Sequence, residues 1–150
     1  MPQSLACVYI HWVFSTKDRY PYFPDLQIRK ELYGVLAGKA KTVGCNPIIV
    51  GGVADHVHLL TTLSRTVTIA DSVKEIKRGS NQWVKAHLNI KNFSWQAGYG
   101  AFSVSKSNVD SVTAYIANQE IHHQENDFQN EFRRLLERHG IEFDERYVWD

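Results

Sequence analysis

The 150-residue sequence lacks several features that mark particular classes of protein. It has no run of about 18 apolar residues, so we expect no transmembrane helix and no membrane partner. No basic region precedes the apolar stretch near the N-terminus, and His11 interrupts that stretch, so it does not resemble a signal peptide. Two cysteines, Cys7 and Cys45, form no C-x-x-C motif. We expect free thiols in a reducing cytoplasm, with a disulfide as the alternative.

The chain also lacks internal repeats, low-complexity segments and long linkers. It contains no H-E-x-x-H and no carboxylate at a suitable spacing, which argues against a zinc hydrolase. The hydrophobic fraction of 43% and the charged fraction of 22% are typical of a globular protein. We therefore expect one domain spanning residues 1–150.

Net charge is small, +1 for the whole chain, but it is unevenly distributed. Residues 1–70 contain seven Lys and Arg against four Asp and Glu, and residues 71–106 contain six against two. Residues 107–150 contain four against ten. We interpret the first two thirds as a basic region that can contact phosphates. The acidic last third would face away from the phosphates or cover a partner subunit. Ordinary solvated surfaces are the alternative.

Two histidines separated by one apolar residue, His56-Val57-His58, follow a Gly-Gly turn signal and lie within a strand-like sequence. Side chains alternate along a strand, so both imidazoles should lie on one face while Val57 points into the core. Two imidazoles on one face can hold a divalent metal ion. An isolated pair on the wet face of an edge strand would need no ligand.

A second candidate segment covers residues 112–121, whose apolar spacing predicts a helix that Asn108 or Ser107 could cap. Tyr115 and Gln119 are four residues apart and should share one face of that helix. A half-buried aromatic on an amphipathic helix is the alternative interpretation of Tyr115.

Hydrophobic periodicity and turn residues predict the order β-α-β-β-α-β, followed by further helices. That order is typical of an α+β, ferredoxin-like (RRM-like) fold: an antiparallel sheet with helices on one face and an open face opposite. The predicted strands cover residues 5–14, 48–53, 56–63 and 100–105. The predicted helices run from the cap Asp25 to 42, from Thr68 or Asp71 to 87, from 108 to 123, and from 128 to 139 with Gly140 as the stop signal.

In this order, the histidine pair and Tyr115-x-x-x-Gln119 resemble the motifs of single-tyrosine transposases, which belong to the HUH endonuclease superfamily. This family includes transposases of bacterial insertion sequences and the REP-associated tyrosine transposases. Residues 12–19, 95–105 and 144–150 also resemble sequence motifs that are usual in this family, so the resemblance covers essentially the whole chain.

The resemblance implies a reaction on single-stranded, hairpin-flanked DNA. Tyr115 would attack a phosphodiester, form a 5′-phosphotyrosine and release a 3′-OH, and a 3′-OH would then rejoin the strand without ATP. It also implies a homodimer, in which the tyrosine helix of one subunit can lie over the histidine pair of the other. We expect a bacterial or archaeal cytoplasmic protein that associates with the nucleoid when it acts on DNA.

For the metal, the family pattern assigns His56, His58 and Gln119 as three neutral ligands, which suit Mg²⁺ or Mn²⁺ in a cell. Asp55 would orient an imidazole or serve as a turn residue. His122 would be an extra ligand or a proton shuttle, whereas the adjacent His123 is expected at the surface.

Candidate DNA contacts are basic side chains on the second helix, which could track phosphates, and aromatic rings that could stack on unpaired bases. Solvated helix surface and core packing are the respective alternatives. These candidates are Lys74, Lys77, Arg78, Lys85, Trp95 and Tyr99.

Other functions remain open. A replication initiator or relaxase shares the chemistry, but initiators usually carry Lys four residues after the tyrosine, and relaxases usually place the tyrosine before the histidines. A domesticated processor of REP palindromes would use the same residues. A non-catalytic nucleic-acid-binding module of the same fold would need none of them, and their joint presence argues against it.

Overall fold

A computed structural model of the chain describes residues 2–150, apart from the side chains of residues 124 and 125. The elements follow the predicted order of four strands and two helices, with further helices at the C-terminal end. The strands are β1 (Tyr9–Ser15), β2 (Pro47–Gly52), β3 (His56–Thr62) and β4 (Gly100–Val104). The helices are α1 (Leu26–Thr42), α2 (Ile69–His87), α3 (Val109–Ala117), α4 (Gln119–Glu125) and α5 (Phe128–Arg138).

The four strands form one antiparallel sheet in the order β2-β3-β1-β4. This arrangement confirms the predicted ferredoxin-like fold. Strands β3 and β1 occupy its centre, and their register places His56 opposite Ser15 and His58 opposite Val13. The histidine pair therefore lies on a central strand, where hydrogen bonds on both sides hold its backbone.

Helices α1 and α2 cover one face of the sheet and begin at the predicted caps. Asp25 accepts hydrogen bonds from the backbone of α1, and Thr68 accepts one from Asp71 N in α2. The core beneath them includes Trp12 and Val57. Val57 therefore points into the core as predicted, which sends the side chains of its two histidine neighbours to the opposite face.

The opposite face, which we expected to be open, is covered by the C-terminal helices. Phe128 and Phe132 of α5 pack with Val13 and Phe102 of the sheet. A neighbouring cluster joins Leu60 of β3 to Val109 and Ile116 of α3. The apolar residues of α5 recur at a helical spacing, so this helix buries its apolar side only by lying across the sheet. The histidine pair is consequently enclosed between sheet and helices.

The predicted helix over residues 108–123 is interrupted at Asn118, whose φ of −102° and ψ of 22° depart from helical values. Asn108 precedes the helix but gives no side-chain cap. Asparagine is a weak helix former because its side chain competes for backbone hydrogen bonds. Beyond the break, Glu120 pairs with the buried Arg29 of α1. This pair connects the start of α4 to the helix layer on the opposite face of the sheet.

Gly51 allows α3 to approach β2 closely. A Cβ at this position would lie 2.7 Å from the carbonyl oxygen of Ile116 and 3.0 Å from its side chain. Gly51 pairs with His58 in the sheet, so the close approach brings the helix that carries Tyr115 to the histidine strand. Among residues 2–150, no helix is long and apolar enough to cross a membrane.

Candidate active site

His56 and His58 lie on the same face of β3 and have no exposed surface. Asp55 Oδ1 is 2.7 Å from Nδ1 of His56, and His11 Nε2 is 2.8 Å from Nδ1 of His58. Each Nδ1 is thus hydrogen-bonded behind the ring, so that the Nε2 atoms face the C-terminal helices. This arrangement is typical of metal-binding histidines, whose second nitrogen is held by a neighbour that fixes the orientation of the ring. Asp55 therefore occupies the orienting position that the sequence suggested, while also lying in the turn before β3.

A carboxylate that the sequence did not point to, Glu131 of α5, faces this histidine pair. Its Oε1 lies 2.9 Å from Nε2 of His58 and 3.3 Å from Nε2 of His56. Nε2 of His123 lies 3.2 Å from the same oxygen. One buried carboxylate oxygen therefore lies within 3.3 Å of three imidazole nitrogens.

The other oxygen of Glu131 meets the two residues of the predicted tyrosine motif. The hydroxyl of Tyr115 donates a hydrogen bond to Oε2, and Gln119 Nε2 donates another at 3.1 Å. Gln119 Oε1 lies 3.3 Å from His56 Nε2. The structure thus brings Tyr115, Gln119 and the histidine pair together, with Glu131 as the residue that joins them.

Charges in the cluster follow from burial and from these contacts. Burial favours neutral His56, but its hydrogen bonds to Asp55 and Glu131 outweigh burial and raise its pKa to about 9. Burial keeps the pKa of His58 below its ordinary value despite Glu131. For Glu131, burial favours the neutral acid, but its close contacts with the three histidines hold its pKa far below the ordinary value. Burial and the charge of Glu131 raise the pKa of Tyr115, so its hydroxyl keeps its proton.

The two adjacent histidines of α4 exchange the positions expected of them. His123, expected at the surface, turns inward: its side chain is 9% exposed and its ring centroid lies 4.4 Å from that of His56. His122, considered as a ligand, is exposed and lies beside Tyr115 with ring centroids 4.8 Å apart. The helix break at Asn118 changes which face of α4 meets the sheet, and a continuous helical periodicity could not reveal that.

Sequence reasoning missed Glu131 and His11. A signal for Glu131 exists in α5, because Glu131 stands among Phe128, Phe132 and Leu135 on the buried side of the helix. A carboxylate on an apolar face requires a partner, and here the partners are the histidines. His11 gave a weaker signal, a histidine within the apolar run of β1. It lies on the same side of the sheet as His58, one diagonal step away.

The candidate DNA contacts lie on α2 and on the segment between α2 and β4, and two of them, Lys77 and Trp95, are already engaged within the protein. Lys77 Nζ donates to the carbonyl oxygens of Gln96 and Gly98 at 2.9 and 2.5 Å, and burial lowers its pKa to about 8. Trp95 is 6% exposed and donates to Ser80 Oγ at 3.0 Å, so its ring is part of the core rather than a stacking surface. The remaining candidates are exposed to some degree: Lys74, Lys85, Tyr99, and Arg78, which pairs with Glu75.

The donor set fits a divalent transition metal. The ligand atoms of His56, His58, His123 and Glu131 all lie within 4.8 Å of one another. Two ligands that bind one ion at about 2.1 Å stand about 3–4 Å apart, so small side-chain movements would complete such a site. Nε2 of His123 is buried and lies 3.2 Å from Glu131 Oε1, but the geometry of this contact is not that of a hydrogen bond, so the nitrogen stays available as a ligand. Gln119 Oε1 lies at the edge of the same cluster.

Comparison with known families agrees with this geometry. The family model described as "Transposase IS200 like" matches residues 4–119. The chain belongs to the IS200-like transposase family. The matched range includes the histidine pair, Tyr115 and Gln119, whereas His123 and Glu131 of this IS200-like transposase lie beyond it. A comparison with curated proteins gave no match.

Two solved structures share the fold of this IS200-like transposase. One is a crystal structure at 1.90 Å, described as that of a candidate transposase from Deinococcus radiodurans R1. It is 24% identical, with a TM-score of 0.62 over 79% of this chain and 98% of that chain. The other is a REP-associated tyrosine transposase bound to a REP hairpin, 13% identical, with a TM-score of 0.59 over 82% of this chain and 72% of that chain.

Proposed function

We propose that this IS200-like transposase cuts and rejoins single-stranded DNA at hairpin-flanked sites, with Tyr115 as its nucleophile. The observation that carries the proposal is the shared carboxylate of Glu131. One oxygen meets three imidazole nitrogens and the other accepts the hydrogen bond of the Tyr115 hydroxyl. A candidate metal cluster and a candidate nucleophile are thus joined within one chain.

His56, His58, His123 and Glu131 would hold the ion, with Gln119 beside them. A divalent ion there would polarise a phosphodiester and neutralise the charge that develops on it. Of the two ions expected from the sequence, Mn²⁺ suits three nitrogen donors better than Mg²⁺, which prefers oxygen.

Tyr115 would act as a neutral phenol when the strand arrives, because burial and Glu131 raise its pKa. Glu131 Oε2 holds the hydroxyl in a defined direction, and the phenol gives up its proton to solvent as the bond from oxygen to phosphorus forms. The bond from phosphorus to O3′ breaks at the same time, and the leaving oxygen takes up a proton from solvent to become a 3′-OH. In the second step the oxygen of a 3′-OH attacks the phosphorus of the phosphotyrosine and loses its proton, the bond from phosphorus to the Tyr115 oxygen breaks, and Tyr115 regains a proton.

A related role is the processing of REP palindromes by a domesticated enzyme. It is favoured by the fold shared with a REP-associated tyrosine transposase bound to a REP hairpin. Both roles use the same chemistry and would place the protein in the cytoplasm and on the nucleoid. We infer that a non-catalytic DNA-binding role is disfavoured, since it gives no reason for Tyr115, Gln119 and the histidines to converge.

The homodimer expected from the family remains a proposal. Tyr115 meets the histidine pair of its own chain, with ring centroids of Tyr115 and His58 5.7 Å apart. Mixing Tyr115→Phe with His56→Ala protein tests whether the tyrosine of one subunit acts in the site of the other. If each tyrosine serves its own chain, the mixture stays inactive even when subunits exchange, whereas recovered activity would place the tyrosine in the partner's site.

A nicking assay on single-stranded hairpin DNA tests the proposed function. With Mn²⁺, the wild-type protein should yield a protein–DNA species that resists denaturant, and EDTA should prevent its formation. Tyr115→Phe should bind the same DNA without forming that species. A wild-type protein that binds DNA but leaves it intact under all metal conditions would instead favour the non-catalytic role.

A further inference from the structure

A cavity of about 530 Å³ opens beside Tyr115, on the face of the sheet that α3 and α5 cover. Tyr115 and Glu131 form part of its wall, so the cavity adjoins the cluster described above. Its size lies within the range of about 300–1,000 Å³ that is typical of sites for small organic ligands. Nothing in the proposed cleavage chemistry yet accounts for this space.

The cavity has a positive side formed by two arginines one helical turn apart on α5. Arg134 and Arg138 both line it, and Arg138 is near enough to Tyr115 to oppose the rise of the tyrosine pKa. Arg134 donates to the neutral Asn126 Oδ1 at 3.1 Å. Arg138 has no hydrogen-bond or ion-pair partner among the side chains that the structure describes. The acidic residue among the lining residues is Glu131, which the histidines already engage.

The contrast with the other arginines of the acidic C-terminal third is informative. Arg133 pairs with Glu145, and Arg146 pairs with Asp144, both on the outer surface. The two arginines that face the cavity are therefore the ones not neutralised by a described carboxylate partner. A planar guanidinium that lacks such a partner and points into a cavity is suited to a phosphate group.

The rest of the wall suits a sugar and a base. His122 lies against the ring of Tyr115, and His139 stacks on Phe102 with ring centroids 4.7 Å apart. Val112 and Leu135 add apolar surface, while Ser111 adds a hydroxyl. Flat rings and apolar side chains accept any nucleobase, since every base has a face that can stack.

We propose that the cavity binds one nucleotide of the DNA strand next to the phosphate that is cut, and that Arg134 and Arg138 bind the adjoining phosphate. This inference rests on the proposed function, because it takes the strand to pass Tyr115. It adds a subsite on α5, outside the range matched by the family model.

Calorimetric titration with thymidine 3′,5′-bisphosphate tests this subsite. The titration is carried out in EDTA, so that binding does not depend on a metal. We expect Arg134→Gln and Arg138→Gln each to weaken binding by about tenfold or more, because each removes charge-assisted hydrogen bonds. Arg146→Gln removes the same charge from the outer surface and should bind as the wild type does. Circular dichroism would verify that all three variants are folded.

The controls make the outcome decisive. Inorganic phosphate and thymidine, each alone, should bind much more weakly than the bisphosphate, and equal binding of phosphate alone would overturn the nucleotide assignment. Equal affinity of the arginine variants and the wild type would also overturn it. In a Tyr115→Phe background, Arg138→Gln should reduce the salt dependence of single-stranded DNA binding by about 0.7 in slope, and an unchanged slope would count against the phosphate contact.

The covalent-adduct assay separates the two proposals. If wild-type protein forms the adduct while the arginine variants bind the bisphosphate normally, the subsite is wrong and the cleavage function stands. If the arginines support bisphosphate binding but hairpin DNA yields no adduct, the cleavage function fails and the cavity remains a nucleotide site.

Discussion

The hydroxyl of Tyr115 donates its hydrogen bond to Glu131, a residue sixteen positions later on a different helix. The same carboxylate meets the histidines of β3 through its other oxygen. The position of the tyrosine is therefore set by α5 as much as by its own helix. This relationship makes Glu131 the first residue to test.

Replacing Glu131 by Gln should abolish the stabilisation that Mn²⁺ binding gives to the protein. The variant keeps the shape of the side chain but removes its charge, and with it one proposed ligand and the partner of charged His56. We expect the Mn²⁺-induced rise in melting temperature to disappear and adduct formation to fall by about 100-fold or more. Glu137→Gln, on the exposed side of the same helix, is the matched control. An undiminished Mn²⁺ shift in Glu131→Gln would remove this residue from the metal site.

His11 should act through His58 rather than on DNA. In the metal-free protein neutral His58 donates from Nε2 to Glu131, so its Nδ1 accepts from His11. With an ion at Nε2 the proton would stand on Nδ1, and the same hydrogen bond would run in the other direction. His11→Ala removes this support, and we expect Mn²⁺ affinity to fall by about 10- to 100-fold. His87→Ala, an exposed histidine on α2, should bind Mn²⁺ as the wild type does.

The account would be wrong about His11 if its alanine variant lost adduct formation while titration showed normal Mn²⁺ affinity. Such a result would place the residue in contact with DNA in the cavity, which it also lines.

Metal-free protein should lose stability between pH 6.5 and 8. The pKa of His56 is raised from 6.5 to about 9, so its charged form stabilises the fold fully below 6.5 and progressively less as the pH rises to about 9. The lowered pKa values of His58 and His11 act in the opposite direction, but below 6.5. Burial lowers the pKa of Lys77 from 10.5 to about 8, so its charged form destabilises the fold, and this destabilisation is relieved only as the pH rises above 8. Chemical unfolding in EDTA at several pH values measures the net effect.

Asp55→Asn provides the control for this pH dependence. The variant removes one of the two carboxylates that raise the pKa of His56, so the decline between pH 6.5 and 8 should be smaller. If the free energy of unfolding of the wild type rose or stayed flat across that interval, the charged state assigned to His56 would be wrong.

Gly51→Ala should separate α3 from the sheet. Its Cβ would lie 2.7 Å from the backbone carbonyl of Ile116, a contact that only a shift of α3 can relieve. We expect a loss of about 1–3 kcal/mol in stability and reduced adduct formation, because Tyr115 moves with the helix. Gly38→Ala, a helical glycine with nothing within 4 Å, should be neutral or stabilising. Equal behaviour of the two variants would show that the close approach has no role.

The parts of the site that sequence could predict are those fixed by short periods. Strand alternation suffices to place His56 and His58 together and Val57 behind them, because a shift by one residue would expose the whole apolar face. Helical spacing and the family pattern placed Tyr115 and Gln119 near each other. Local side-chain chemistry predicted the cap Asp25 and left Thr68 or Asp71 for α2, of which Thr68 is the cap.

The remaining parts depend on contacts between distant segments. Glu131 and His123 join the site only because α5 crosses the second face of the sheet and α4 restarts at Asn118. On α2, charge alone could not distinguish Lys77, which three backbone carbonyls surround, from the exposed Lys74. Such differences arise from tertiary packing, which helical periodicity does not report.

Mass spectrometry of the covalent adduct tests the central claim most directly. Wild-type protein is incubated with single-stranded hairpin DNA and Mn²⁺, digested with nuclease and protease, and searched for peptides that carry a nucleotide. The account predicts one modified peptide, with the 5′-phosphate of the nucleotide on Tyr115, and none after incubation in EDTA or with Tyr115→Phe. A nucleotide on any other residue, or an adduct that persists in Tyr115→Phe, would contradict it.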